Sequence, residues 1–288
     1  MALLLSFAPA PVSAERAKSR DDFRRFGVWD YVATGALLSG YFALEFGFDT
    51  PRGADWKGPL PVFDQPARDL FVLDSRSARR QADVHSDMAW YPSIAYPVAA
   101  AVIIPPLTGR GLDPAWQMTM MNIQVFAAAS IAIRVPHKFV GRMRPNYQGC
   151  REDPSYSPQC GTRAQVLSFY GGHSGISMAG AGLACAHHLH GQLFNDEVAD
   201  ALACGGAFAL GFSVGIFRMQ ADKHWLSDVL LGDAVGFGIG YGLPTLFYYR
   251  PFWRQRRGGY KDGSCGADLY LLPLATRDTL GLAVSGRL

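Results

Sequence analysis

The chain is divided into six stretches that lack any Asp, Glu, Lys or Arg, at residues 31–44, 88–109, 114–133, 164–195, 201–217 and 234–249, and this feature constrains its fold most. A helix needs about 20 mainly apolar residues to cross the hydrocarbon core of a bilayer. The second, third and fourth stretches meet that length and the fifth approaches it. The first and last reach it only if Asp30, Glu45 or Asp233 sits near a helix end or inside a bundle. Their composition is rich in Gly and Ala, as in SMAGAGLACA, LACGGAFALGF and GDAVGFGIGYG. Small residues let helix backbones approach closely in a membrane, and they serve a tightly packed soluble bundle equally well. The expected fold is therefore an all-α bundle of about six core helices. Embedding in a membrane is expected, with a soluble periplasmic bundle as the alternative.

Composition supports a folded chain and leaves its compartment open. A charged fraction of 18% against 49% hydrophobic residues excludes a disordered protein. The mean hydropathy of +0.05 lies between soluble enzymes and Leu-rich membrane proteins, because Gly/Ala helices and polar arms dilute the apolar stretches. A net charge of +3 without a long basic block argues against nucleic acid as a partner.

Three units are expected: residues 1–25 as a leader or basic flank, 26–250 as the helical domain, and 251–288 as a tail. The start MALLLSFAPAPVSAER has an apolar run and a small-residue cleavage pattern without the usual basic opening. Six passes place both ends of the domain on one side. Arg16, Lys18, Arg20, Arg24 and Arg25 precede the first stretch, and Arg250, Arg254, Arg256, Arg257 and Lys261 follow the last. The loop 134–163 is also Arg-rich. If its arginines serve chemistry, the positive-inside bias puts the ends in the cytoplasm and this loop outside; the location expected is a bacterial inner membrane with the polar clusters on its periplasmic side. Cys150 and Cys160 then can form a disulfide; in a reducing compartment they are two free thiols. Cys185, Cys204 and Cys265 stand alone in the sequence. Residues 48–87 read as a surface arm with a partly amphipathic helix, and LYLLPLATRDTLGLAVSGRL near the end reads as a short β-hairpin.

Three polar clusters fall where the apolar stretches meet loops. They are HKFVGRMRPNY with His137, Lys138, Arg142 and Arg144; SFYGGHSG with Gly171, Gly172 and His173; and RMQADKHWLSD with Arg218, His224 and Asp228. Guanidinium forks bind phosphate oxygens in pairs, and the amides of a Gly pair can approach the same oxygens. One imidazole can attack phosphorus while a second protonates the departing oxygen. His224 and Asp228 are four apart, so on a helix they share a face and the carboxylate can hold one ring nitrogen protonated.

In their order and spacing these clusters resemble the type 2 phosphatidic acid phosphatase superfamily, which includes bacterial non-specific acid phosphatases and vanadium haloperoxidases. Its motifs are Lys-x6-Arg-Pro, Pro-Ser-Gly-His and Ser-Arg-x5-His-x3-Asp, and the resemblance spans about residues 137–233. The third motif is present from Phe217 and Arg218 to His224 and Asp228, with Phe217 in place of Ser. In the second, Tyr170-Gly171-Gly172-His173 replaces Pro-Ser-Gly-His, and in the first the Lys position holds His137, with Lys138 next to it. The resemblance implies a phosphatase in which His224 is the nucleophile, Asp228 orients it and His173 is the general acid. It implies phosphate binding by Lys138, Arg144, Gly171, Gly172 and Arg218, with His137 and Arg142 as auxiliary groups. The implied substrate is a phosphomonoester or pyrophosphate, with a lipid phosphate favoured and small soluble monoesters open. No metal or cofactor is expected, and vanadate is expected as an inhibitor.

Three other readings stand beside this one. In a haloperoxidase, vanadate is the cofactor, and the two missing hydroxyl donors weaken a permanently bound oxyanion. Zinc at His187, His188 and His190 lacks a spaced carboxylate or Cys set, so that run is expected to be a polar cap at the membrane interface. A protein of the same fold without catalysis would have no need to keep His224, Asp228 and His173 together.

Overall fold

A computed structural model describes residues 23–56, 58–249, 268–275 and 280–287. Its helices are α1 (Val28–Gly47), α2 (Asp64–Phe71), α3 (Arg76–Leu107), α4 (Leu112–Phe139), α5 (Tyr147–Glu152), α6 (Gly172–Gly191), α7 (Glu197–Gln220) and α8 (Leu226–Pro244). Six of these are long and form the bundle. The leader, its cleavage pattern and the basic flank after Arg250 lie outside the described residues. At the chain's end, β1 (Asp268–Ala275) pairs antiparallel with β2 (Leu280–Arg287), with Asp268 opposite Arg287 and Ala275 opposite Leu280.

Side-chain oxygens mark the helix starts. The Ser75 hydroxyl accepts the Ala78 amide at 3.1 Å at the head of α3, and Asp196 accepts the Ala199 amide at 2.8 Å at the head of α7. The charged stretch expected as part of a surface arm is instead the first turns of α3, which runs on for 32 residues. Pro97 removes the amide that would bond the Ser93 carbonyl, and Gly180 of α6 packs against that oxygen.

Four helical segments are long and apolar enough to cross a membrane: α3, α4, α7 and residues 226–249, which extend α8. The other two long helices, α1 and α6, are not among these four. Stretch 31–44 becomes α1, which has Asp30 and Glu45 within it. Stretch 164–195 becomes α6, buried along nearly its whole length and carrying His187, His188 and His190. Its apolar residues form the core of the bundle.

Around α6 the packing is close enough to need glycine. A Cβ on Gly236 of α8 would lie 2.0 Å from the Gly175 carbonyl oxygen, one on Gly240 2.2 Å from that of Ala179, and one on Gly232 2.6 Å from that of Gly171. These positions recur every four residues on both helices, so one ridge of small residues faces another. On its other side α6 is joined to α7 by a disulfide between Cys185 and Cys204, whose Cα atoms are 4.3 Å apart. Neither cysteine stands alone, because the helix pairing brings together residues 19 apart in sequence.

The helices alternate in direction, so the bundle has two distinct ends. At one end Phe26 stacks on Tyr248 at 4.6 Å, bringing the two flanks of the bundle together. Nearby, both ring nitrogens of His187 are engaged, by Tyr249 Oη at 2.7 Å and Asn122 Oδ1 at 2.8 Å. His188 likewise meets Asp200 and Tyr96, each at 2.7 Å. His187 and His188 are fully buried, so the expected interfacial cap is an internal polar network.

Gly236→Ala is expected to destabilise the bundle by about 1–3 kcal/mol, because the carbonyl it meets belongs to a helix backbone that cannot rotate away. Gly205→Ala on α7, where nothing lies within 4 Å, should be neutral or slightly stabilising. Thermal unfolding of the two variants in detergent would show equal midpoints if the glycine ridge carried no packing constraint.

Candidate active site

The other end of the bundle gathers the polar clusters. A cavity of about 630 Å³ is lined there by His137 and Arg134 from α4, Arg144 and Leu167 from the following loop, Gly172 and His173 from α6, and His224 before α8. Its remaining wall is apolar, with Tyr41, Ile94, Phe126, Ile133 and Ile176 among its residues.

His224 lies just before α8, whose N-cap is Trp225, so it does not share a helical face with Asp228. Its Nδ1 donates to the Ser168 carbonyl at 2.9 Å, while the Asp228 carboxylate is 4.0 Å away. A proton fixed on Nδ1 leaves the Nε2 lone pair free. The ring is 4% exposed, and burial, followed by the charges of Arg144 and Arg218, pushes its pKa well below the ordinary value and keeps it neutral. The expected direct contact is therefore replaced by an indirect one. Asp228 accepts the Ser168 hydroxyl at 2.6 Å and the Trp225 amide at 3.1 Å, so it holds the residue that holds His224.

Arg142 stands behind this group. Its guanidinium reaches Ser227 at 2.9 Å, Asp64 at 2.6 Å and Asp228 at close range, and it is 2% exposed. It is bound to two buried carboxylates and does not line the cavity. The Gly171 amide is also committed, donating to the Asp228 carbonyl at 2.9 Å. Gly172 and His173, the first residues of α6, face the cavity at the positive end of that helix.

Lys138 is placed elsewhere. Its ammonium donates to the carbonyls of Glu45 at 2.9 Å and Phe48 at 2.7 Å, closing the end of α1. On a helix, adjacent residues point about 100° apart, so only one of His137 and Lys138 can face the cavity. That residue is His137, whose Nε2 meets the Tyr170 carbonyl at 2.9 Å.

Two buried arginines complete the polar end. Arg144 reaches Gln159 Oε1 at 3.1 Å and the Leu167 carbonyl at 3.3 Å, and burial pushes its pKa down to about 9, so it stays charged at neutral pH. Arg218 donates to Asp83 at 2.8 Å, and Lys223 grips the other oxygen of the same carboxylate at 2.5 Å. The Nε groups of Arg144 and Arg218 are buried without a hydrogen-bond partner. Arg218 is not among the cavity-lining residues, although its charge acts on both His173 and His224. His173 lies 3.4 Å from Asp87 and beside the Trp90 ring. Burial and then Arg218, Arg144 and Lys223 hold its pKa at about 3.

A family model described as PAP2 superfamily matches residues 119–253. Over that segment the chain is similar to the PAP2 superfamily, in agreement with the order and spacing of its three clusters. No curated protein and no solved structure matches the chain. The PAP2 segment contains His137, Arg144, His173, Arg218, His224 and Asp228, whereas Asp64, Asp83, Asp87 and Trp90 come from the chain before it. Sequence reasoning assigned nothing specific to this arm. The four-residue spacing of Asp83 and Asp87, which puts both on one face of α3, was the available signal. Trp225 is 3% exposed and donates to the Met143 carbonyl at 2.8 Å, packing the start of α8. Among the described residues, no group of three or more His, Cys, Asp or Glu is arranged to hold a metal ion.

Lys138→Met should lower the unfolding midpoint and leave KM for a phosphomonoester within about twofold, whereas Arg144→Gln should raise KM at least about tenfold, as for loss of a charge-assisted bond. Steady-state kinetics on both variants would reverse this assignment if Lys138→Met carried the larger KM effect.

Proposed function

We propose that the chain is a metal-independent phosphatase that hydrolyses a lipid phosphate through a phosphohistidine. The observation that carries this reading is a cavity in which Arg144, whose buried Nε has no hydrogen-bond partner, and the start of α6 stand with an imidazole whose Nε2 lone pair is free. Buried donors without partners are costly unless an anion supplies the acceptors. The three equatorial oxygens of a phosphoryl group provide them.

In the proposed reaction, His224 Nε2 attacks phosphorus as the bond to the ester oxygen breaks. Protonated His173 gives its proton to that oxygen, and the alcohol leaves. Water then attacks phosphorus, the P–N bond breaks, and His173 takes back a proton as phosphate departs. Arg144, Arg218 and the Gly172 amide offset the charge on the equatorial oxygens. His137 faces the same space. Asp228 acts through Ser168 and Arg142.

The apolar wall supports a lipid substrate. A second recess of about 370 Å³, between Leu38, Tyr41 and Phe42 of α1, Val98 of α3 and Ile123 and Phe126 of α4, shares Tyr41, Phe126 and Ser130 with the catalytic cavity. Along α4 the two extend from Thr119 to His137, a rise of about 27 Å at 1.5 Å per residue, so a phosphate at one end has room for an alkyl chain beside it. The Cys150–Cys160 disulfide stands at the same end as the cavity, which supports an oxidising compartment on that side of a bacterial inner membrane.

Purified protein should release phosphate from phosphatidic acid and, more slowly, from p-nitrophenyl phosphate. EDTA should leave the rates unchanged, vanadate should inhibit, and His224→Ala should lose at least about 10³-fold in kcat, as nucleophile removal does elsewhere. Equal rates for wild type and His224→Ala, or halide oxidation in place of phosphate release, would exclude the proposal.

The site should also take up a proton with its anion. His173 is neutral at pH 7 in the empty cavity because its pKa is about 3, and a bound dianion offsets the arginines that hold it there. Sulfate, which does not titrate between pH 5 and 8, should therefore inhibit more strongly as pH falls through that range. A flat inhibition constant would separate His173 from the bound anion.

A further inference from the structure

We propose that Gln159 is a positioning residue for Arg144, held in place by the ring that the Cys150–Cys160 disulfide closes. The inference rests on the phosphatase reading, in which Arg144 binds the phosphoryl oxygens.

Arg142, Arg144 and Arg218 are held in different ways. Arg142 is bound by the carboxylates of Asp64 and Asp228, and Arg218 by that of Asp83. The hydrogen-bond partners of Arg144 are two neutral oxygens, the Gln159 side-chain carbonyl and the Leu167 backbone carbonyl. A neutral acceptor fixes the guanidinium plane without cancelling its charge, so Arg144 stays available to a second, anionic partner. Its buried Nε has no partner in the protein.

Gln159 needs outside support to act this way. Residues 151–155 and 158 are exposed, so no apolar core holds the segment around it. Covalent and polar links do so instead. Cys160, the next residue, is bonded to Cys150, and the Cys150 amide donates to the Asn146 carbonyl at 3.0 Å. Asn146 Nδ2 in turn reaches Gln159 Oε1 at 3.3 Å, and the Thr162 hydroxyl donates to the Gln159 carbonyl at 2.8 Å. Arg144 is two residues before Asn146, so the circuit from Arg144 through Asn146, the disulfide and Gln159 returns to Arg144. Tyr156 anchors the middle of the loop, donating to Asp222 at 2.9 Å with Arg79 stacked 3.7 Å over its ring.

The test compares KM and kcat for p-nitrophenyl phosphate, and the inhibition constant of vanadate, in full-length protein. Gln159→Ala should raise KM and the vanadate constant about three- to tenfold, the size of one lost hydrogen bond, with kcat changed less. Gln159→Glu keeps the shape and the acceptor but places a carboxylate on Arg144, so it should weaken vanadate at least as much; a purely structural role would tolerate it. Cys150→Ser/Cys160→Ser should match Gln159→Ala, and combining the two should add little. Cys185→Ala/Cys204→Ala, which removes the other disulfide, should lower the unfolding midpoint without changing the vanadate constant. If Gln159→Ala does not fold, dithiothreitol added to the Cys185→Ala/Cys204→Ala protein decides the question by the same readout.

Vanadate constants within about twofold of wild type in Gln159→Ala and Gln159→Glu, or in the reduced protein, would overturn the inference while a dead His224→Ala left the phosphatase reading standing. A wild-type protein that neither hydrolyses the ester nor binds vanadate would overturn both.

Discussion

Backbone contact between α6 and α8 is the constraint from which the site follows. Gly171, Gly175 and Ala179 present carbonyl oxygens to Gly232, Gly236 and Gly240, one rung for each turn of helix. Any side chain on the α8 glycines would force the helices apart. The ladder continues past the first turn of α6, where the Gly171 amide donates to the Asp228 carbonyl. This last contact fixes the start of α6, with His173, against the start of α8, just after His224. The cavity end of the molecule is thus the end of a glycine-packed helix pair, and small errors in that packing would be transmitted to the imidazoles.

The charge arrangement builds on that frame in two layers. The inner layer, Asp64–Arg142–Asp228 with Ser168 and Ser227, is buried, and its guanidinium is bound to two carboxylates. The outer layer is left incomplete: Arg144 and Arg218 each keep a buried, unpartnered Nε. Removing one partner from the inner layer exposes an uncompensated charge to the core, whereas Arg144 of the outer layer has no carboxylate on its guanidinium, only the Gln159 and Leu167 oxygens. Asp83, which holds Arg218 and Lys223 together, reaches them from α3.

Much of this was legible in the residues. The apolar stretches gave the long helices, the Gly and Ala content announced close packing, and the order and spacing of three clusters pointed to the PAP2 superfamily, which the family match bears out over residues 119–253. Other parts depended on geometry that spacing does not encode. His137 and Lys138 are equivalent by composition, and only the helical phase of α4 turns one to the cavity and the other to the end of α1. His224 and Asp228 suggested a shared helical face, but the helix begins after His224, so Ser168 stands between them. Asp83 and Asp87 lay in what read as a surface arm, because the continuation of α3 beyond its apolar part leaves no hydrophobic signal.

The sequence by itself determined that the chain forms a bundle of long, tightly packed helices and that its polar clusters suit an oxyanion, since both properties depend on residue type and local spacing. Tertiary structure alone decided which stretches form lipid-length helices and which forms the core, which cations are paired and which are left open, and that Cys185 meets Cys204. These depend on what lies across the helix interface, and a residue's partner there is chosen by the phase and depth of two helices together.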